Sequence, residues 1–186
     1  MRARLILPGL LAAAALTLVG CGTEETASPS DATARTGSPS GSAQAGPGTA
    51  AVPQALRFTG TTVDGKPFDA ATLAGRPTVL WFWAPWCPTC KAQGPETAKV
   101  AEQFEGQAHV IGVAGLDTPQ AMKDFVGDTG VGTFPNLADE AGDIWKKFEI
   151  TQQSVYVILD KDGRTVFTGS LPAGKGLAGK VGPLVG

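Results

Sequence analysis

Hydrophobic and polar positions divide this 186-residue chain into three textures. Leu5–Val19 is almost continuously apolar. Gly22–Pro53 carries 26 Gly, Ala, Ser, Thr or Pro among its 32 residues, with Val52 its one sizeable apolar side chain. From Gln54 onward, short apolar runs alternate with amphipathic stretches, which is the pattern of a folded domain.

Within that last part, Phe58 and Phe68 flank Asp64-Gly65, a hairpin signal. Ala70–Ala74 reads as one helical turn closed by Gly75. Thr78–Trp83 is apolar on both alternating faces, which predicts a strand buried on both sides in the middle of a sheet. Ala84-Pro85 ends it. A helix is expected from Pro88 to Phe104, with proline at its first turn and Pro95 kinking it. Cys90, Gly94, Ala98, Ala101 and Phe104 recur at helical spacing as its buried stripe. Val110–Ala114 is a second buried strand. Thr118 caps a helix that starts at Pro119 and runs to Val126. Phe134–Asn136 is an extended segment or short edge strand, Glu140–Phe148 a short helix and Val155–Leu159 a third buried strand. Asp160–Gly163 turns the chain into an antiparallel Thr165–Thr168. From Ala173 a weak terminal helix is expected, since Gly174, Gly176, Gly179 and Gly182 would each cost about 1 kcal/mol against alanine. The order predicts an α/β domain with a central mixed parallel and antiparallel sheet, helices on both faces and an N-terminal β-hairpin.

Composition narrows the function. With 15 basic and 17 acidic residues the net charge is −2, too acidic for a nucleic-acid binder, which needs clustered Lys and Arg. Three cysteines exclude a disulfide-dense scaffold and a four-cysteine zinc site, and one histidine excludes His-rich metal clusters.

The first stretch has the layout of a secretory signal: Arg2 and Arg4, an apolar core, then small residues before Cys21. Its apolar run is short against the roughly 20 residues of a bilayer-spanning helix. Leu18-Val19-Gly20-Cys21 resembles the bacterial lipobox, which implies a diacylglyceryl-modified Cys21 at the mature N-terminus. The alternative is simple cleavage near Gly20–Gly22. The expected organisation is a signal peptide at 1–20, a lipid-anchored disordered linker at 21–53 and the folded domain at 54–186. The linker lacks the apolar surface to offset its ordering entropy and would reach roughly 30 Å. Losing residues 1–20 leaves 13 basic against 17 acidic residues, so attachment would not rely on anionic lipid.

One motif carries chemistry. Trp86-Cys87-Pro88-Thr89-Cys90 lies where a buried strand gives way to a helix. Cys87 falls at the helix N-terminus, where unpaired N–H groups and the macrodipole favour a thiolate, the nucleophile of thiol–disulfide exchange. Cys90, one turn on, is placed to resolve a mixed disulfide. Pro88 fixes the helix start, and Trp86 offers an apolar landing surface. A structural disulfide gains little from so short a loop. Copper held by the two thiols stays open.

The span Phe58–Phe167 resembles the thioredoxin-like proteins, specifically the membrane-tethered TlpA/ResA/DsbE branch and the actinobacterial DsbE/DsbF-like lipoproteins. The residues that carry it are Asp64–Phe68, Leu73–Pro77, Pro95 and above all Trp81–Cys90. Phe134–Phe148 looks like that branch's inserted αβ segment. The resemblance implies a thioredoxin fold and extracytoplasmic dithiol–disulfide exchange at Cys87 and Cys90, without a cofactor.

Three positions depart from the family. Trp81 stands where thioredoxins carry an aspartate, and Gln93 where some reducing members carry a glutamate, so neither family-style proton acceptor is present. Ser154, after Gln153, occupies the position of the cis-proline that faces the dithiol. A cis bond before a non-proline residue costs about 2.5–4 kcal/mol, so a trans bond with altered local geometry is expected. In the family this loop pairs with substrate and keeps metals off the thiols. Trp86, Pro88, Thr89, Gln153 and Ser154 are therefore the expected site-shaping residues. Trp81 and Trp83 are read as core. Lys91 and Glu96 are read as a solvated face, Asp117 as a loop residue and His109 as structural.

The missing acids and the resemblance to the DsbE/DsbF-like lipoproteins favour an oxidase of exported protein thiols over a reductase for apocytochrome or metallochaperone thiols. Either direction implies a membrane redox partner and a monomeric enzyme held to the membrane through Cys21. The competing class is a dithiol copper carrier. Copper-carrying relatives space their cysteines one residue further apart, which argues against it.

Overall fold

The computed structural model describes residues 51–186. The expected signal peptide, Cys21 and residues 21–50 of the expected linker lie outside the described residues. A hairpin of β1 (Thr59–Thr61) and β2 (Pro67–Asp69) opens the fold, and Gly65 takes the left-handed conformation its turn requires. Asp69 then accepts from the Ala71 N–H and caps a 3-10 turn over Ala70–Leu73. There follow β3 (Thr78–Trp83), α1 (Pro88–Gln103), β4 (His109–Ala114), α2 (Pro119–Thr129), β5 (Asn136–Ala138), α3 (Asp143–Lys147), β6 (Val155–Leu159), β7 (Thr165–Gly169) and α4 (Leu177–Val181).

The five-stranded sheet runs β5-β4-β3-β6-β7. β3, β4 and β5 are parallel, while β6 and β7 pair antiparallel. All six residues of β3 are buried. Their alternation divides the core in two. Val79, Trp81 and Trp83 face α1, α2 and α4, joined by Val110 and Ala114 of β4 and by Tyr156 and Ile158 of β6. Leu80 and Phe82 face the other layer, built from Leu56, Leu73, Ile144 and Trp145. This is the mixed-sheet architecture with an N-terminal hairpin that the sequence pattern predicts.

One close approach fixes Gly112. Trp83 Nε1 donates to Asn136 Oδ1 at 3.1 Å, and a β-carbon at Gly112 would fall on that amide and 2.8 Å from the indole nitrogen. Asn136 Nδ2 donates in turn to the Val131 and Phe134 carbonyls.

Element ends differ from expectation for local reasons. α2 extends to Thr129, where Gly130 closes it at φ 70°. α3 begins at Asp143, not Glu140. Asp139 accepts from the Asp143 and Trp145 N–H groups, both at 2.9 Å, and Gly142 is left-handed at φ 69°. Gly174 and Gly176 are also left-handed, so α4 starts at Leu177 rather than Ala173. At the other terminus, Val52 packs on the second core and Pro53 lies against Gly163.

His109 opens β4, its N–H donating to Pro77 O. Its Nε2 is buried without a hydrogen-bond partner. Burial, and secondarily the Arg76 guanidinium, hold its pKa below the ordinary 6.5. Glu102 and Glu105 line the same depression. As pH falls through 6.5 the unfolded chain takes up this proton first, so stability is lost until the lowered folded value is reached. Urea midpoints measured on either side of 6.5 should therefore drop on the acid side, and drop less in His109→Gln. An equal acid loss in that variant would mean that other groups cause it.

Candidate active site

The dithiol forms where β3 hands over to α1. The Cys87 N–H donates to Ala84 O at 3.1 Å and closes the turn through Pro85. Cys87 is the N-cap residue of α1, extended at φ −83° and ψ 111°, with Pro88 in the first turn. Its Sγ accepts from the Cys90 N–H at 3.0 Å, so the sulfur takes the place a capping oxygen usually fills. Cys87 and Cys90 are joined as a disulfide with their Cα atoms 5.2 Å apart. Both cysteines are buried, Cys87 at 2% exposure and Cys90 at 0%. Pro88 and Thr89 between them are exposed.

Trp86 is 52% exposed, and its indole Nε1 donates to Leu116 O at 3.2 Å. Leu116 is itself 55% exposed and takes φ 62°, a conformation rare for a branched apolar residue. Two exposed apolar residues are thus tied together next to Cys87 through this indole–carbonyl bond. The sequence shows Leu116 only as an apolar residue between a strand and a helix; nothing local says that it is exposed or that it meets Trp86.

Phe82 pairs with Val155, so Ser154 sits at the end of β3 from which Cys87 follows. The Ser154 N–H donates to Phe82 O at 2.8 Å, extending the β3–β6 ladder by one residue. Its hydroxyl lies 3.2 Å from that of Ser170. Ser154 is buried at φ 68°, so the loop does depart from the proline geometry. Gln153 is half-buried beside it.

Trp81 and Trp83 are buried, as expected of core residues. Gln93 and Thr97 are equally buried and complete the inner face of α1 with Cys90, Gly94 and Val100. The expected stripe omitted both. Its Ala98 and Ala101 are only half-buried. Trp81 Nε1 donates to Gln93 Oε1 at 3.0 Å, and Gln93 Nε2 donates to Leu171 O at 2.8 Å. The two residues at the family's acid positions thus bind each other. Glu96 is not simply solvated, since its Oε1 accepts from the Leu177 N–H at 3.2 Å. Lys91 is exposed, and Asp117 accepts from the Thr118 N–H in its loop. Among the described residues no three His, Cys, Asp or Glu side chains converge as a ligand set.

The family model described as AhpC/TSA matches residues 52–167. Soluble secreted antigen MPT53 of Mycobacterium tuberculosis is 38% identical over 141 residues, which are 74% of this chain and 80% of that protein. Thiol-disulfide oxidoreductase ResA of Bacillus anthracis is 27% identical over 114 residues, 61% of this chain and 65% of that one. The solved structure of MTB dsbF in its mixed oxidized and reduced forms superposes with a TM-score of 0.66 at 41% identity, covering 72% of this chain and 98% of that one.

The Ser154 geometry makes a prediction that runs against the family's proline. Proline would remove the donor to Phe82 O and demand φ near −65° where the chain has 68°. Ser154→Pro should lower unfolding stability by about 2 kcal/mol or more, and Ser154→Gly should leave it within about 1 kcal/mol. Chemical denaturation measures both. A neutral or stabilising proline would refute the assigned geometry.

Proposed function

The chain belongs to the AhpC/TSA family and is a thioredoxin-like thiol–disulfide oxidoreductase of the DsbE, DsbF and ResA type, and from that membership we propose that it is an oxidase for exported protein thiols. The observation that carries the direction is the pairing at the family's two acid positions, where Trp81 donates to Gln93 and no carboxylate stands. A reductase must deprotonate its resolving thiol inside the protein. In its substrate step an oxidase uses Cys90 only as a leaving group, and needs it deprotonated only when a partner restores the disulfide.

In this reading a substrate thiolate attacks Cys87 Sγ. The Cys87–Cys90 bond breaks, and Cys90 leaves as a thiolate that takes a proton from solvent. A second substrate thiolate then attacks the substrate sulfur of the mixed disulfide, and Cys87 leaves as a thiolate. The substrate loses two electrons and the dithiol gains them. A membrane partner bearing a disulfide of its own removes them and restores the Cys87–Cys90 bond. The N-terminus of α1 favours the Cys87 thiolate, which stabilises the reduced form and makes the disulfide more oxidising. Trp86 and Leu116 offer the approaching polypeptide an apolar surface, and Pro88, Thr89, Gln153 and Ser154 shape the rest of the rim.

Residues 1–20 act as the signal, lipidated Cys21 as the anchor and the residues after it as the tether; the expected boundary at 53 moves back, because Val52 and Pro53 already pack on the enzyme domain, which faces outward from the membrane. Cys21→Ser should move the protein from the membrane fraction to the soluble fraction; unchanged fractionation would exclude the lipid anchor.

Equilibration with glutathione tests the direction. A reduction potential between about −120 and −180 mV supports the oxidase, whereas one near about −270 mV belongs to a reductant. Cys87→Ser should abolish exchange, and full activity in that variant would overturn the catalytic assignment.

A further inference from the structure

Gln93 lies one turn beyond Cys90 on the same buried face of α1, where side chains three residues apart have β-carbons about 5–6 Å apart. Its amide is held from both sides in only one sense. Trp81 Nε1 can only donate, so Oε1 must face it; Leu171 O can only accept, so Nε2 must face that carbonyl. A second run continues from the Gln93 backbone. Thr97 Oγ1 donates to Gln93 O at 3.0 Å, which leaves the Tyr156 hydroxyl to donate to Thr97 Oγ1 at 2.8 Å. Tyr156 stacks on Trp81 with 6.3 Å between ring centroids, and burial raises its pKa further above the ordinary 10, so it stays neutral. Every group in the network is paired and none is charged.

The charged groups nearby stand outside the network, and of them Glu96 reaches it only through space, adding to the rise of the Tyr156 pKa. Glu96 on α1 accepts from Leu177 at the start of α4. Lys180 on α4 lies over the Phe167 ring of β7, 4.7 Å from its centroid. Lys91 on α1 is exposed, as is Lys175 in the loop before α4. β3 contributes no charged residue.

Resting on the dithiol reading above, we propose that Gln93 is a positioning residue that ties α1 to β3 and to the Leu171 loop and keeps the space behind Cys90 free of charge, so that Cys87 is the only group of the reduced site to ionise from acid to neutral pH. The donor–acceptor pattern selects glutamine. Methionine would fill the space and lose both bonds. Glutamate would satisfy both partners only when protonated, its carbonyl oxygen accepting from Trp81 and its O–H donating to Leu171 O. Ionised, it would meet the Leu171 carbonyl with a second acceptor and oppose Cys90 as a leaving thiolate.

The test titrates thiolate ultraviolet absorbance in the reduced protein and follows oxidation of a two-cysteine peptide by the oxidised protein across the same pH range. The native chain should titrate in one step up to neutral pH. Gln93→Met should slow exchange without changing the shape of its pH profile. Gln93→Glu should add a second step, and its exchange rate should fall about tenfold or more through that step, as expected for a carboxylate this near a leaving thiolate. Two steps in the native chain, a single step with an unaltered profile in Gln93→Glu, or the glutamate-like profile in Gln93→Met would each overturn the assignment. Should Gln93→Glu not fold, the native and Gln93→Met titrations still decide. A native protein that oxidises the peptide at no pH would instead refute the dithiol reading itself.

Discussion

A six-residue strand with no exposed position must be covered on both faces, and the arrangement of this domain follows from that requirement. Thr78–Trp83 can meet it only at the centre of a sheet, with α1, α2 and α4 on one side and the hairpin, the 3-10 turn and α3 on the other. Burying large apolar side chains is worth about 1.5–3 kcal/mol each, so Trp81, Phe82 and Trp83 anchor both layers to this one strand. Where it ends, the chain must leave the core at once, and Ala84-Pro85 turns it into α1. The dithiol therefore stands at the junction of the most buried strand and a helix N-terminus. Its sulfur chemistry borrows the helix's free N–H groups, one of which already binds Cys87 Sγ.

The same burial decides what can stand behind the cysteines. An ion removed from water costs several kcal/mol unless it is paired and hydrogen-bonded. Neutral groups with complementary donors and acceptors avoid that cost, and Trp81, Gln93, Thr97 and Tyr156 form such a set. The network also joins four elements that must keep register around the dithiol: β3, α1, β6 and the loop after β7. Stability and charge neutrality at this place have one cause, because the bonds that hold the elements together also use up the polar groups.

Much of this was legible in the sequence because it is local. Continuous apolar runs marked the three central strands, Asp64-Gly65 marked the hairpin, Thr118-Pro119 marked the start of α2, and Trp86–Cys90 marked the chemistry. What escaped was set by partners far along the chain. Gln93 and Thr97 look like solvent-facing polar residues until Trp81, Leu171 and Tyr156 are brought to them, across sequence separations of 12, 78 and 59. The stripe read from small apolar residues instead chose Ala98 and Ala101, which are only half-buried. Asp139 delayed α3 because its carboxylate reaches N–H groups four and six residues ahead. α4 starts at Leu177 rather than Ala173 because Gly174 and Gly176 adopt positive φ, a choice that the presence of glycine alone leaves open.

Two of the three non-glycine residues at positive φ among the described residues, Leu116 and Ser154, belong to the loops that frame the disulfide. Each such conformation costs roughly 1–2 kcal/mol and persists only where its surroundings over-determine it. Leu116 is fixed by the bond from Trp86 to its carbonyl, and Ser154 by the bond from its own N–H to Phe82. Both bonds lead back to the same stretch of chain, since Phe82 lies in β3 and Trp86 only three residues beyond its end. The strand that fills the core therefore also dictates the rim. A proline ring would hold the Ser154 loop by restricting one residue's own torsion, whereas here the sheet holds it through a ladder bond. The loop's geometry is thus tied to the integrity of β3 rather than to a single rigid side chain, and a change in the packing of that strand would reach both sides of the disulfide.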